Sequence, residues 1–435
     1  LPYFHQAVSA LIQRIERASA GANRLIQNIE QAPDFSFIDW LEAQPIFPKF
    51  YWQSRDGRET VVALGQLYTF TDPLPAYAIL AEGQRVWGGR SFDGQTDKNR
   101  RCMASFFFLP QIELICQDDE YSLAVNLTSD INRTLASLKK LQHQVAPQPA
   151  LQHQVKHMSH TPEREQWGKL VDKVLAGIEQ QAFKKVVLAR RTTVELDAPL
   201  SAAGLLKASI AKNRDSFHFL LALDQTHCFM GSTPERLYQR QGAELYTEAL
   251  AGTSGRGETA EQDQALANWL SHDDKNLNEN QYVVDDIVER LTPHSLDVDV
   301  EAKPQLVRLR KVQHLKRRIH ATLKPGINGV QLLSALQPTA AVAGLPRDAS
   351  MAFIRENEPF ARGWYAGSMG YISHREAQLC VAIRSALVVE QSLHLFAGAG
   401  IVPGSIAEHE WQELDRKMST LLSLINQYSP LGVAS

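Results

Sequence analysis

A chain must first find a place for its β-branched and aromatic runs, and here those runs are many, short and closely spaced. Lys185 opens the clearest of them, Lys-Val-Val-Leu-Ala-Arg-Arg-Thr-Thr-Val-Glu-Leu, whose β-branched content reads as one long strand. Phe50-Tyr-Trp-Gln and Thr60-Val-Val-Ala-Leu-Gly read the same way, as do residues 218–224, 227–231, 245–251, 363–373, 379–389 and 393–401. Helical periodicity marks 1–30, 162–181, 200–212, 259–269, 275–291, 312–323, 329–336 and 407–427. Clustered strands between helical blocks predict an α/β (α+β) architecture of mainly antiparallel sheets wrapped by helices, not a regular βαβ alternation.

The polar stretch 138–160 holds four His, Pro147 and Pro149, and repeats Leu-Gln-His-Gln-Val from Leu141 and from Leu151. It reads as a helix end running into a loop, and divides a hairpin-rich 1–160 from 161–435. With 44% apolar residues the chain can bury a sizeable core without staples. Its formal charge of -3 gives no basic field for nucleic acid, so a small molecule is the expected partner. Cys102, Cys116, Cys228 and Cys380 are scattered, without the spacing of a disulfide framework or zinc knuckle. No apolar run approaches the roughly 20 residues of a membrane span, and no basic segment with an apolar signal core opens the chain. A cytoplasmic monomer is expected.

Four local groupings combine charge with a restricted neighbourhood. Lys185 begins an apolar strand, although Lys184 beside it also fits a solvated strand end. In Gly231-Ser-Thr-Pro-Glu235-Arg236 small residues and a proline set a turn that presents an acid and a base, which elsewhere is usually a surface pair. Two acidic helices follow: Lys275, Asn276 and Glu279 share adjoining faces of one, while Glu410, Glu413 and Lys417 form a stripe on the other. Each could be a solvated face; converging, they would offer hard oxygen ligands suited to magnesium rather than zinc. Finally, Ala251-Gly252-Thr253 and Gly398-Ala399-Gly400 put glycines where backbone can approach an oxyanion, or merely turn tightly. GxGxxG, Walker, GxSxG and HExxH patterns are absent.

In order and content these groupings resemble the chorismate-utilising enzymes from Pro162 to about Ile425. The resemblance is carried by Lys185-Val-Val-Leu-Ala-Arg, Gly231-Ser-Thr-Pro-Glu-Arg, Glu248-Ala-Leu-Ala-Gly-Thr253, Lys275-Asn-Leu-Asn-Glu279, Val312-Gln-His-Leu315, Gln337-Pro-Thr-Ala-Ala-Val-Ala-Gly344, Trp364-Tyr-Ala-Gly-Ser, Val381-Ala-Ile-Arg384-Ser, Ala397-Gly-Ala-Gly-Ile-Val402 and the stripe Glu410, Glu413, Lys417. It is strongest to the isochorismate-forming branch of menaquinone synthesis, and the first third, including Phe50-Tyr-Trp-Gln, is similar to that branch as well.

The resemblance implies one large domain over 1–435, with the first 160 residues its more variable part, and Mg2+-dependent chemistry on chorismate. Lys185 would be the general base that activates water for attack at ring carbon 2, and Glu235 the general acid for the hydroxyl leaving carbon 4. Glu279 and Glu413 would hold magnesium, with Glu410 nearby. Gly252, Thr253, Tyr365, Arg384, Gly398, Gly400 and Lys417 would shape the pocket and hold the substrate carboxylates, with His314 near the ring. Keeping lysine neutral at pH 7 costs roughly 4.6 kcal/mol from its reference pKa, and keeping glutamate protonated roughly 3.7 kcal/mol, so a dry pocket is required. The lysine points to water rather than ammonia as nucleophile. A salicylate synthase and a non-catalytic chorismate- or metal-binding protein are the alternatives. Asn276 stands where some relatives carry an acid, which leaves the number of metal ligands open, and Pro403 has no evident reason.

Overall fold

In the computed structural model, which describes residues 3–94 and 104–425, strand alternation sorts the apolar side chains into layers. Phe50 and Trp52 face one side of their strand and Tyr51 the other; Val61 and Ala63 do the same against Val62 and Leu64. The first set meets Phe217, Phe219 and Phe229 of the same sheet and Trp87, Phe108, Met369 and Tyr371 of a second, forming an aromatic layer between two sheets. Trp52 is fully buried, 5.4 Å from the Phe217 ring. Truncating such a side chain costs about 3–5 kcal/mol. On the outer face of the first sheet the helices Tyr3–Glu16, Phe37–Ala43 and Ala202–Lys212 cover the second set.

Among the described residues one sheet has twelve strands and the other ten, and every pairing is antiparallel. This is the predicted layering of antiparallel sheets and helices. Residues before 160 contribute to both sheets: Lys49–Gln53 pairs with Phe217–Ala222, and Val86–Arg90 with Ser368–Ile372.

Two of the places where the chain passes between the sheets lie side by side. Strand His227–Thr233 lies in the twelve-stranded sheet and Arg236–Gln241 in the ten-stranded one, so Pro234 and Glu235 make the passage. Strands Glu376–Val381 and Ser385–Val389 return the other way through residues 382–384. The passages are tied to each other: Val381 N donates to Glu235 O at 3.0 Å, and Ser232 N to Arg384 O at 3.1 Å. Arg384 takes a left-handed φ of 51°, a conformation that costs a residue with a Cβ about 1–2 kcal/mol.

Several sequence expectations are corrected. Residues 1–30 are not one helix: Tyr3–Glu16 ends before Gly21, at φ 101°, and Arg24–Ile29 pairs as a strand with Glu120–Asn126. The 138–160 stretch ends in a strand, Val155–Thr161, that pairs with the Lys185 strand. Residues 312–323 are a strand, Val312–Leu323, not a helix. Its buried Ile319, Ala321 and Leu323 alternate, but the three successive cations Lys316, Arg317 and Arg318 interrupt that alternation; pairing with three neighbouring strands decides the matter. The run 379–389 is broken at the second passage, and 363–373 is strand only over Ser368–Ile372. Helix Arg347–Asn357 was not anticipated. The helix expected over 407–427 runs Ala407–Leu422, its last two expected residues, like Cys102, lying outside the described residues.

Candidate active site

The two sheet passages, the bulged strand Glu244–Gly255 and the glycine strand Ser392–Ile401 surround a cavity of about 50 Å3. Glu235, Gly252, Thr253, Glu279, His314, Tyr365, Arg384, Gly398, Gly400 and Lys417 line it. The other expected site residues stand just behind: Lys185 against Glu279, Glu413 against Lys417, and Glu410 beside Glu413. Apolar Val187, Leu250, Ala251, Ala341, Val342 and Ile383 complete the wall.

The glycines have steric reasons. The Lys185 strand pairs with Ser392–Ile401, Val187 opposite Gly400 and Ala189 opposite Gly398. A Cβ on Gly400 would collide with Glu279 Oε1 and lie 2.9 Å from Lys185 Cε; one on Gly398 would lie 2.7 Å from the Tyr365 hydroxyl. Gly252 sits in the bulge between Leu250 and Thr253, at φ 93°.

Glu235 is buried, and its carboxyl makes no hydrogen bond to another described residue. Burial first, and then the charge of Glu248, push its pKa up to about 8, against the pull of Lys185, Arg384 and Lys417. Glu248 is held by Arg55, whose Nη1 reaches Glu248 Oε1 at 2.5 Å and Pro234 O at 2.7 Å. A carboxylic acid that stays protonated near neutral pH is therefore fixed at the sheet passage.

Opposite strands place Thr253 beside His314. Arg384 Nη2 lies 3.0 Å from His314 Nε2, and Thr253 Oγ1 2.9 Å from Nδ1. Because arginine only donates, Nε2 is the acceptor, and the ring proton sits on Nδ1 and is donated to Thr253. Burial, then the charges of Arg384 and Lys417, hold the His314 pKa well below its ordinary value, in keeping with that neutral ring. The threonine hydroxyl proton is left free for a ligand. Tyr365, stacked on Phe396 at 5.1 Å, has its hydroxyl pushed up to about 12 by burial and stays a donor. Arg384, Tyr365 and Thr253 thus offer donors suited to carboxylate oxygens.

At the other end carboxyl groups meet lysine side chains. Lys185 is fully buried; its Nζ is 3.2 Å from Glu279 Oε1, an ion-pair distance without hydrogen-bond alignment, so it has no acceptor among the described residues. On helix Ala407–Leu422 the expected stripe forms. Lys417 Nζ donates to Gly398 O at 2.7 Å and pairs with Glu413 Oε1 at 2.8 Å, while Glu410 pairs with Lys275 at 2.9 Å. Glu410 and Glu413 are also hydrogen-bonded to each other. Burial and its neighbour's charge raise the Glu410 pKa; at Glu413 burial acts the same way but is outweighed by Lys417 and the bond from Glu410, so its pKa is lowered. The pair shares one proton. Lys275 feels Glu410, Glu279 and Glu413 together, and its pKa is raised although burial opposes this. Among the described residues no three His, Cys, Asp or Glu side chains form a ready metal cage. Asn276 turns away from the carboxylates: its Oδ1 accepts from Thr253 N at 3.1 Å and its Nδ2 donates to Asp273 at 2.7 Å.

Sequence reasoning assigned no role to Glu248, Lys275 or Arg55. Glu248, inward in a strand buried from Thr247 to Gly252, could have been flagged as an acid at a core position. Arg55 could not: it is a lone cation in the turn after Lys49–Gln53, and its contact spans 193 residues. Through Arg55 the first third also reaches the neighbourhood of Glu235.

Similarity to known proteins follows the same residues. The isochorismate synthase MenF of Escherichia coli (strain K12) is 39% identical over 408 residues, 90% of this chain and 91% of that protein. MenF of Haemophilus influenzae is 38% identical over 433 residues, 98% and 97% of the two chains. The solved structure of the menaquinone-specific isochorismate synthase MenF from Escherichia coli superposes with a TM-score of 0.90 at 36% identity, covering 97% of this chain and 100% of that one. A family model described as chorismate binding enzyme matches residues 73–426, and with that the chain belongs to the chorismate-binding enzyme family.

Proposed function

We infer that this chain is an isochorismate synthase of menaquinone synthesis, converting chorismate to isochorismate. The observation that carries the chemistry is the cavity itself, lined by a buried glutamic acid with a pKa of about 8, with a fully buried lysine just behind its wall. Lys185 takes a proton from water as the oxygen attacks carbon 2; the ring double bond shifts, and Glu235 gives its proton to the hydroxyl leaving carbon 4 as water. The proton gained by lysine and the proton lost by glutamate balance. Arg384, Tyr365 and Thr253 hold the substrate carboxylates, and the apolar wall keeps the site dry enough for both groups.

The donor set suits a magnesium ion. Glu410 and Glu413 set two hydrogen-bonded carboxyl groups side by side, each paired with a lysine, and with Glu279 they already draw a cation, Lys275, among them. Magnesium needs only one or two carboxylates plus water and an anionic ligand. Glu279 and Glu413 would hold it, with Glu410 beside them. When bound it supplies positive charge to a substrate carboxylate.

Incubation with chorismate and magnesium, followed by product identification, tests the reading. Isochorismate is expected, with activity lost on chelation and restored by magnesium. Salicylate as main product overturns the choice of reaction, and an aminated product in ammonium overturns water as nucleophile.

A further inference from the structure

A second cavity lies on the other side of Arg384. It measures about 270 Å3, against about 50 Å3 for the active-site cavity, and Arg384 lines both. Its wall brings together the turn after helix Ala202–Lys212, Ser232 and Pro234 at the first sheet passage, the turn before strand Val312–Leu323, and Thr420 on the helix that carries the carboxylates. Pro234 precedes the acid Glu235, so the two cavities share one partition.

The charge of this cavity is one-sided. Seven of its lining residues are Lys or Arg against a single carboxylate, Asp215, in a chain whose formal charge is -3. Some of that charge is already engaged: Arg256 forks onto Asp263 at 2.7 Å through both contacts, and Arg310 Nη2 donates to Thr420 O at 2.7 Å. Arg310 Nε, however, is buried without an acceptor. Lys212, Arg214 and Lys311 make no side-chain hydrogen bond or ion pair among the described residues. Clustering like charges costs free energy unless an anion visits them. A concave surface of one sign with protein walls also focuses its field and concentrates the opposite ion, raising association rates by about 10–1,000-fold.

We propose that this basic cavity is the capture site for the dianionic substrate, holding its carboxylates loosely at Lys212, Arg214 and Lys311 before transfer past Arg384. The inference rests on the isochorismate synthase reading, under which the ligand is a ring with two carboxylates, both ionised at neutral pH. The active-site cavity holds only about 50 Å3, whereas the basic cavity, at about 270 Å3, has the volume for such a ring. Arg384 belongs to both, so a carboxylate can pass to it without losing its cationic partner.

The test is a triple variant, Lys212→Gln/Arg214→Gln/Lys311→Gln, assayed on chorismate with magnesium across ionic strength, with sites counted by titration calorimetry. At low ionic strength kcat/KM is expected to fall about tenfold with kcat within twofold of wild type, and the steep loss of kcat/KM with added salt should flatten. Unchanged kcat/KM and salt dependence overturn the capture site. Two chorismate sites per chain in wild type and one in the variant, with kcat altered, overturn it in favour of a separate effector site. Wild-type turnover in the same assay keeps the readings apart: an inactive wild type overturns the isochorismate synthase reading and the capture site with it, whereas an active wild type with an indifferent variant overturns the capture site alone.

Discussion

Glu235, which is buried, and Glu413, which is half-buried, are two glutamates of one site, and their pKa values are shifted in opposite directions. Glu235 lies at the sheet passage with a second carboxylate, Glu248, as its near neighbour and no cation bonded to it. Glu413 lies on a helix one turn from Lys417 and is bonded both by that lysine and by Glu410. Burial pushes both pKa values upward, so burial does not explain the difference. Company does: Glu235 has a carboxylate for its neighbour and no bonded cation, whereas Glu413 is bonded by Lys417 and by Glu410.

The sharpest way to break this contrast is at Glu235 itself. Glu235→Gln is expected to lower kcat by about 10²–10⁴-fold, measured by chorismate consumption, with circular dichroism unchanged. The same change carries a stability signature. The folded-state pKa of about 8 lies above the ordinary 4.5, so the fold is destabilised only where the unfolded chain ionises this group more readily. The penalty is absent below about pH 4.5, grows between there and about pH 8, and is complete above. Glu235→Gln should therefore be more stable than wild type at pH 9 by about 3–5 kcal/mol in denaturant unfolding, with no gain at pH 4. Equal stability at pH 9 would mean that Glu235 is solvated after all.

At the charged end, Glu413→Gln removes the fixed anion while keeping the shape. The magnesium concentration for half-maximal activity is expected to rise at least about tenfold, and calorimetry should report the same weakening without substrate. Unaltered magnesium binding would remove Glu413 from the metal site.

The smallest effect tests the company of Glu235. Activity that depends on its proton should persist below about pH 8 and fall above it. Glu248→Gln takes away the neighbouring charge and frees Arg55, and both changes favour the ionised acid. The alkaline limb of kcat/KM should move down by up to about one pH unit. A limb that stays in place would leave burial alone as the cause.

How much of this was legible in the sequence differs between the same two ends. The helix stripe Glu410, Glu413 and Lys417 follows from spacings of three and four, which needs no knowledge of the rest of the chain. The strand that starts at Lys185 also declared itself by composition, because β-branched runs with little helical periodicity have few other uses. The acid end was less accessible. Glu235 could be singled out through its turn and family resemblance, but its burial is a tertiary property, and its neighbour Glu248 is held by Arg55 through a contact across 193 residues. Val312–Leu323 was misread because three successive cations hid its alternation, and with it the pairing that sets His314 against Thr253 was lost. Periodicity reports which face is buried; it does not report what lies opposite.

The paired passages between the sheets have a further consequence, for how the chain can change length. Glu235 and Arg384 each join strands of different sheets, and their backbones are bonded to the opposite passage through Val381 and Ser232. An inserted residue at either one would have to be absorbed by slipping a strand, which turns alternate side chains from core to solvent in whichever sheet gives way. Length change is therefore resisted at these two passages, and the segments that carry Glu235 and Arg384 are held to a fixed count of residues.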